Sequence, residues 1–543
     1  MFRSTALLCG LAFISSAVAQ SSTAAYDAAL NEHFTADAPG GSVLVAQGGK
    51  VIYERALGMA DMAAKTALTT DNQFRIGSVS KQFAAVAILQ LAEAGKLKLS
   101  DEIQTYVDFP KKEQPITVEH LLTHTSGIPS FTSLPLFNAE AYAKDITLPE
   151  LIAFFADLPL EFAPGTKWNY SNSGYILLTA IIERASGQSW TDYATEHLLK
   201  PAGMTQSSAA IMPGALPNEA IGYGGTPDGW EPARPISMTW PRGAGCIRST
   251  VGDLWKWNSS VFAGKQVSKE LLAKAHTGYT LADGTNTEYG YGWGFQNVQG
   301  SPTIEHNGGI DGFVSASLYL PKEDIYVAVL VNRESDDANN LAPKLAAIAL
   351  GKPYGGTEVA LTDAQAQAYT GVYVNAEGVE RYITAEGNKV SSMRQGSTPK
   401  PLRYLGNDRF LFEGDVINLT FHRADGKLTG AFFQSRDREE LLTRSHKPLP
   451  APRKEMALKG ADLQKYVGEY ELAPGFTLTF RAEGDRFFGR ATGQEEFEVF
   501  GDGPHSFFLK VVDASMVFHV EADGSVQRMT FDQGGPTEAK RVK

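Results

Sequence analysis

The chain has too few cysteines for a disulfide-stabilised protein. Its 543 residues include two, Cys9 and Cys246, and Cys9 lies in an N-terminal segment that we expect to be removed. A single remaining cysteine excludes an internal disulfide, so the stability must come from a large buried core. Cys246 has no neighbours that indicate catalysis, and we expect a packed thiol there.

Runs of basic residues are also missing. The chain has 49 Lys and Arg against 61 Asp and Glu, a formal net charge of -12. This argues against nucleic acid or an anionic membrane surface as a partner. The sequence has no Gly-x-Ser-x-Gly elbow and no phosphate-binding glycine loop, so an α/β-hydrolase is disfavoured and no cofactor is implied.

An apolar run at the N-terminus has the character of a targeting segment. Arg3 precedes an apolar segment at 6–14, and Ala17-Val18-Ala19 is a small-residue cleavage site. This pattern predicts a signal peptide over residues 1–19, hence a periplasmic or secreted protein. The run is too short for a membrane anchor, no later segment reads as transmembrane, and the bulky Leu8 disfavours lipidation of Cys9.

Residues 20–352 alternate between helical and strand-like patterns. Near their end, Phe313–Leu320 and Ile325–Val331 are predicted strands, followed by a helix at 341–350. Residues 351–356 are rich in glycine and indicate a linker. We therefore expect one large domain at 20–352 and a separate tail.

The tail contains an internal repeat. Residues 369–373 match residues 466–470 at an offset of 97, and residues 385–387 match 482–484 at the same offset. Short alternating strands between Gly and Asp turns predict two antiparallel β-barrels, at 360–447 and 456–543, joined by a stiff proline-rich spacer. One larger β domain is the alternative.

Gly77-Ser78-Val79-Ser80-Lys81 carries the clearest chemical signal. A lysine three residues after a serine on a helix shares its face and can take its proton, which makes the hydroxyl a nucleophile. A second Ser-x-x-Lys at Ser397 is discarded, because Pro399 opposes a helix there.

The segment after Lys81 indicates a buried helix. Residues 83–89 are apolar on every side, and Gly95 stands where a C-cap glycine belongs. Ser78 therefore lies near a helix N-terminus, where backbone N–H groups favour a developing oxyanion. The alternative is that Ser78 only caps the helix.

Two further segments hold candidate site residues. Tyr170-Ser171-Asn172 lies on a loop before an apolar helix, and a nearby lysine ammonium could lower the pKa of Tyr170 and make it a base. His306-Asn307-Gly308-Gly309 combines a proton carrier with glycines that permit close backbone approach. Taken separately, a structural tyrosine and an ordinary hairpin loop are the alternatives.

Together, the three segments resemble the penicillin-recognising serine hydrolases, a family of class C β-lactamases, D-Ala-D-Ala carboxypeptidases, related esterases and D-aminopeptidases. The resemblance covers roughly residues 25–350, with supporting segments at 116–129, 201–204 and 243–250. It implies an α+β fold: an antiparallel sheet flanked by helices, plus an all-helical lobe. The two β modules that follow are similar to the lipocalin-like C-terminal modules of D-aminopeptidases.

The resemblance also implies roles. Ser78 becomes the acylated nucleophile, and Lys81 and Tyr170 form a base system in which the first base stays undecided. Asn172 binds the substrate amide. The backbone N–H groups of Ser78 and Gly309 form the oxyanion hole, with Gly308 beside it.

His306 replaces the lysine that β-lactamases carry at this position. A histidine is mostly neutral at pH 7, so it attracts a substrate carboxylate poorly. We expect an exported hydrolase of small peptides or D-amino-acid amides with weak β-lactamase activity. A short-chain carboxylesterase and a non-catalytic peptidoglycan or peptide binder are the alternatives. Zinc at His120 and His124 is disfavoured, because no glutamate follows His120.

Overall fold

The computed structural model describes residues 23–542 apart from 135–138, 212–215, 227–228, 336, 396, 437, 451–454, 457, 474–475, 493–495, 511, 513 and 534. The predicted signal peptide and Cys9 lie outside the described residues. Within the described part, no helix is both long and apolar enough to cross a membrane. The chain forms two compact units that divide between Tyr354 and Gly355.

A six-stranded antiparallel sheet forms the centre of the first unit, in the order β2-β1-β6-β5-β4-β3. In this sheet the first two strands of the unit lie beside its last four strands. The residues between these two groups of strands form the helices on one side of the sheet. The last two strands have the bounds that the sequence predicts. The strands are β1 (Gly41–Gln47), β2 (Lys50–Leu57), β3 (Gly294–Val298), β4 (Ser301–Ile310), β5 (Phe313–Leu320) and β6 (Ile325–Val331).

Both faces of the central strands are covered. All seven residues of β6 are buried, so each face needs a helical layer. On one face, Val45 shares an apolar cluster with Leu341 of helix α4 (Asp337–Ala349) and with residues of a helix at 23–33. On the other, Leu44 belongs to the core of the helical lobe. This alternation follows from the two-residue period of a strand.

The helical lobe is built around α1 (Lys81–Glu93), which is preceded by a 3₁₀ turn, Gly77–Ser80. All residues at 83–89 are buried, as predicted. The lobe also contains Cys246, a buried thiol whose Sγ accepts a hydrogen bond from Trp190 Nε1 at 3.1 Å. Burial raises the pKa of that thiol to about 11, which fits a packed rather than a reactive cysteine.

The remaining elements of the first unit connect the sheet and the lobe. The longer helices are α2 (Asn172–Ser186) and α3 (Val251–Phe262). The other helices are Val118–Leu122, Ala139–Tyr142, Leu148–Ala156, Trp190–Ala194, Lys200–Ala202, Arg242–Gly245 and Lys269–Ala275, with 3₁₀ turns at Ile103–Thr105 and Phe131–Ser133 and a π turn at Thr195–Leu199. The short strand pairs are Met59–Asp61 with Thr66–Ala67, Phe74–Arg75 with Arg248–Ser249, and Tyr223–Thr226 with Gly229–Pro232.

The second unit contains two closed antiparallel barrels of eight strands each. The prediction of two barrels is confirmed, and the alternative of one larger β domain is wrong. The first barrel is Gly371–Val374, Glu380–Glu386, Lys389–Arg394, Lys400–Tyr404, Arg409–Phe412, Asn418–Ala424, Lys427–Gln434 and Glu439–Arg444, preceded by a helix at Asp363–Tyr369. The second barrel is Gly468–Ala473, Phe476–Glu483, Arg486–Ala491, Glu496–Gly501, Ser506–Leu509, Ser515–Val520, Val526–Asp532 and Pro536–Arg541, preceded by Gly460–Leu463 and Gln464–Tyr466.

Candidate active site

Ser78 and Lys81 stand at the junction between the 3₁₀ turn and α1. A 3₁₀ helix has about three residues per turn, so side chains at positions i and i+3 lie one above the other. Lys81 Nζ is 3.0 Å from Ser78 Oγ. The local structure thus brings together the two side chains of the Ser-x-x-Lys pattern.

The surroundings of Lys81 set its protonation state. The side chain is fully buried, and burial holds its pKa well below the usual range. Its other two contacts are carbonyl oxygens, Asn172 Oδ1 at 2.8 Å and Ala244 O at 3.0 Å. A neutral amine has two N–H groups and one lone pair. Because the two carbonyls take the N–H groups, the lone pair is left for the Ser78 hydroxyl.

Tyr170 lies over the amine, with Lys81 Nζ 4.8 Å from the ring centroid. Its buried hydroxyl makes no well-formed hydrogen bond to any described residue, although Ser78 is close enough to lower its pKa slightly. Desolvation is the larger effect and raises the pKa of Tyr170. The expectation that a lysine ammonium lowers this pKa is therefore not met, because the buried amine favours its neutral form.

His124 holds the loop that carries Tyr170, a role that the sequence did not reveal. Its Nδ1 accepts a hydrogen bond from the Ser171 N–H at 3.1 Å, and its ring centroid is 4.2 Å from that of Tyr170. His124 has a backbone φ of +59°, which is unusual for a residue other than glycine. Burial keeps the pKa of His124 well below its ordinary value. The imidazole is thus a neutral support for the Tyr170 ring.

Asn172 is the first residue of α2, and both the oxygen and the nitrogen of its side-chain amide are hydrogen-bonded. Oδ1 accepts from Lys81, and Nδ2 donates to Thr132 Oγ1 at 3.1 Å. Its backbone N–H donates to Ser130 Oγ at 3.1 Å. Ser130 and Thr132 lie about forty residues earlier in the sequence, and no motif marked them. They fix the orientation of Asn172 and so that of Lys81.

His306 lies within strand β4, and the hairpin turn predicted as the alternative for this segment falls at residues 311–312. Its Nδ1 is 2.6 Å from Asn307 O and its Nε2 is 2.9 Å from the Tyr289 hydroxyl. A carbonyl oxygen can only accept, so Nδ1 carries the hydrogen and Nε2 accepts from Tyr289. Burial, with a smaller contribution from Lys81, lowers the pKa of His306 to about 3. The imidazole is neutral.

Glycines allow β4 to lie against the Ser78 turn. A Cβ on Gly77, whose φ is +48°, would lie 2.8 Å from Gly309 O. A Cβ on Gly308 would lie 2.1 Å from Ile76 O, whereas one on Gly309 would meet nothing within 4 Å. Only glycine tolerates backbones this close, so the third motif approaches the serine through its main chain.

A cavity of about 160 Å³ opens beside Ser78. Asn172, Gly309 and the aromatic rings of Phe131 and Trp240 line it; His306 is not among its lining residues. Among the described residues that line it, Asp311 alone has a charged side chain. Ser78, Asn172 and Gly309 therefore face a partly aromatic space with one carboxylate, whereas Lys81 and Tyr170 are not among its lining residues.

Asp311 was not singled out from the sequence. Its Oδ2 accepts a hydrogen bond from the Tyr142 hydroxyl at 3.0 Å. Arg234 also lies within electrostatic range of Tyr142. The only available signal was its position two residues after Gly309 in the third motif.

The described residues include no group of three or more His, Cys, Asp or Glu side chains able to hold a metal ion. His120 and His124, considered as a zinc pair, each use Nδ1 to accept a hydrogen bond from a backbone N–H. Nδ1 of His120 accepts from the Thr117 N–H at 3.2 Å, and that of His124 accepts from Ser171. The arrangement at Ser78 needs only a nucleophile and a neutral amine for acyl transfer.

Comparison with known proteins places these features in context. A family model described as Beta-lactamase matches residues 27–351, and a domain of unknown function, DUF3471, matches residues 452–541. The chain is 29% identical over 406 residues to penicillin-binding protein 4* of Bacillus subtilis, covering 70% of this chain and 89% of the relative. It is 27% identical over 513 residues to a D-aminopeptidase of Brucella anthropi, covering 91% and 93%.

Solved structures show the same fold. An octameric penicillin-binding protein homologue from Pyrococcus abyssi matches with a TM-score of 0.53 at 27% identity, covering 75% of this chain and 96% of that one. A D-amino acid amidase from Ochrobactrum anthropi SV3, complexed with L-phenylalanine amide, matches with a TM-score of 0.54 at 24% identity, covering 61% and 99%. The second likeness concerns the fold alone.

Proposed function

The chain belongs to the beta-lactamase family of serine hydrolases, and we propose that it is an exported amidohydrolase that acylates Ser78. Its preferred substrates are small amides or peptides with a free amino group beside the scissile bond, D-amino-acid amides first among them. The contact that carries this proposal is Lys81 Nζ to Ser78 Oγ, 3.0 Å in a buried setting.

Lys81 acts as the first base. The Ser78 hydroxyl gives its proton to the Lys81 lone pair while Oγ attacks the amide carbon. The leaving amine takes a proton as the carbon–nitrogen bond breaks, and water then hydrolyses the acyl ester. The backbone N–H groups of Ser78 and Gly309 are the proposed donors to the tetrahedral oxyanion.

Tyr170 acts later than Lys81. Its raised pKa keeps the phenol protonated in the free site, so it enters the reaction as a donor. A protonated phenol beside Ser78 can pass its proton to the leaving amine and recover one from Lys81. Its hydroxyl has no well-formed hydrogen bond to any described residue, which leaves it free to do so.

The charges around the cavity support the substrate class. Asp311 provides a carboxylate for a substrate ammonium, and His306 provides no cation for a substrate carboxylate because its pKa is lowered to about 3. The D-aminopeptidase relative spans nearly the whole chain, in agreement with an N-terminal amine as the recognised group. A β-lactam carries a carboxylate, so we expect weak β-lactamase activity.

A substrate panel tests the proposal. We expect the highest kcat/KM for D-alanine amide and D-alanyl peptides, a lower value for N-acetylated D-alanine amide, and the lowest for a cephalosporin. Ser78→Ala is the control that removes catalysis. Higher kcat/KM for the cephalosporin, or for nitrophenyl esters without an amine, would contradict the substrate assignment.

Export is the other part of the proposal. The N-terminal pattern Arg3, the apolar run at 6–14 and Ala17-Val18-Ala19 supports cleavage after Ala19. N-terminal sequencing of the protein from a cell fraction outside the cytoplasm should begin at Gln20. A retained Met1 in that fraction would contradict the cleavage site.

A further inference from the structure

The two barrels share one pairing register. In the first barrel Ile383 pairs with Ser392, and in the second Phe480 pairs with Gly489, each 97 residues later. Leu402 with Phe412 corresponds in the same way to Val499 with Leu509. Positions in one barrel can therefore be compared directly with positions in the other.

In the first barrel, Arg381 fills one end of the interior. Its side chain is buried, with the guanidinium carbon 4.4 Å from the ring centroid of Phe433 and 5.8 Å from that of Phe412. Nη1 donates to Ser392 Oγ at 3.1 Å. Arg381 thus plugs this end with a long side chain held by two rings and a hydroxyl.

The second barrel keeps one ring of that plug and lacks its other parts. Leu478 stands in place of Arg381 and Gly489 in place of Ser392. Leu509 replaces Phe412, and the ring of Phe531 replaces that of Phe433. A shorter apolar side chain and a glycine leave space where the first barrel has a guanidinium and a hydroxyl.

A cavity of about 120 Å³ occupies that space. Its walls include Leu478, Gly489 and Leu509, the three positions that differ from the plugged barrel, and the retained ring of Phe531. Phe476 and Phe497 complete the apolar lining at the start of their strands. The lining residues come from one end of the strands, and the mouth of a barrel is a common place for a ligand.

We propose that the open end of the second barrel binds a small, neutral, apolar molecule. An apolar cavity of about 150 Å³ stays dry and binds benzene or xenon, so this one accepts a single aromatic ring or a short alkyl chain. Gln533 continues the alternation of Met529 and Phe531 and places one amide at the mouth. Arg490 also lines the cavity, but it is exposed and lies between the inward residues Gly489 and Ala491, so strand alternation directs its guanidinium outward.

Benzene binding to the full-length protein tests the site. Methyl resonances of Leu478, Val499 and Leu509 should shift saturably with benzene in the wild type. Leu478→Phe fills the space and should weaken binding at least about tenfold. Leu441→Phe makes the same substitution on an exposed strand residue of the first barrel and should leave benzene binding unchanged.

A second variant and a second probe keep the result decisive. The double variant Leu478→Arg, Gly489→Ser rebuilds the plug of the first barrel and should abolish binding. In crystals under xenon pressure, a xenon atom should lie between Leu478, Gly489 and Phe531 of the wild type, a result that needs no variant to fold. Absence of both xenon and saturable benzene binding there, or benzene binding unchanged in both barrel variants, would overturn the proposal.

Discussion

Asn172 accepts a hydrogen bond from Lys81 through Oδ1, at 2.8 Å. An amide oxygen at this place leaves the amine uncharged, whereas a carboxylate would favour the ammonium. Asn172 Oδ1 and Ala244 O accept the two N–H groups of the neutral amine, so the lone pair of the amine points towards Ser78. The chemistry proposed for Ser78 therefore depends on a neighbour that is neutral and accepts from Lys81.

Asn172→Asp should reduce activity at neutral pH. The new carboxylate raises the pKa of Lys81, so less of the free base is present, and the rise of kcat/KM with pH moves to higher pH. We expect a loss of about 10²-fold or more near pH 7 that shrinks as the pH rises. Asn172→Ala, which adds no charge, should lose activity without that shift; identical pH profiles for the two variants would contradict the electrostatic explanation.

Lys81→Arg should remove the base while keeping a cation. A guanidinium stays protonated in proteins, so it cannot take the Ser78 proton. We expect kcat/KM for an amide to fall by about 10²- to 10⁴-fold at all pH values.

Tyr170→Phe should still be acylated by an activated ester, because the leaving group of such an ester needs no proton. Faster acylation in Lys81→Arg than in Tyr170→Phe would reverse the order of the two bases.

Asp311→Asn should change selectivity more than general activity. Removal of the carboxylate lowers kcat/KM for D-alanine amide by about fivefold, the scale of one charge pair of roughly 1 kcal/mol near the surface. Hydrolysis of a neutral nitrophenyl ester serves as the internal control and should change less than about twofold. Equal losses on both substrates would show that Asp311 supports the fold rather than recognising an amine.

His306 should not titrate in the physiological range. Its pKa is lowered to about 3, so the ring stays neutral, with the hydrogen on Nδ1, between about pH 5 and pH 9. Nitrogen-15 shifts of the imidazole report both the charge and the tautomer. A titration near the ordinary histidine value, or a hydrogen on Nε2, would contradict this assignment.

The two glycines of the third motif should respond differently to alanine. Gly308→Ala places a methyl group 2.1 Å from Ile76 O and 2.4 Å from Ser315 Oγ, so we expect a destabilisation of about 2 kcal/mol or more. Gly309→Ala meets nothing within 4 Å and should leave Tm within a few degrees. Thermal unfolding of both variants measures this difference. Equal Tm values for Gly308→Ala and Gly309→Ala would contradict the close packing of β4 on the Ser78 turn.

Much of the fold follows from local pattern. The bounds of β5 and β6 can be predicted because β6 is a continuous apolar run, β5 is interrupted only by Ser315 and Ser317, and the turn 321–324 separates the two. The barrels can be predicted because the same strand pattern recurs at an offset of 97. These features depend on residues that are close together in the sequence, and hydrophobic periodicity predicts such local structure well.

The site was only partly predictable for the opposite reason. The pairing of Ser78 with Lys81 is local, but the contacts that tune it come from Asn172, 91 residues from Lys81, and from Ala244, 163 residues away. The raised pKa of Tyr170 follows from burial that no spacing reveals. Asp311 stands out only once the cavity is seen to hold no other charged lining residue in the described part of the chain.

Labelling with a fluorophosphonate shows whether Ser78 is a nucleophile activated by Lys81. The tryptic peptide 76–81 also contains Ser80, whose Oγ is buried and accepts from the Ile247 N–H at 3.1 Å, so fragment spectra must separate the two serines. We expect a single adduct on Ser78, absent from Ser78→Ala and formed at least about 10²-fold more slowly in Lys81→Arg. An adduct on any other serine, or an unlabelled Ser78 in folded protein, would contradict it.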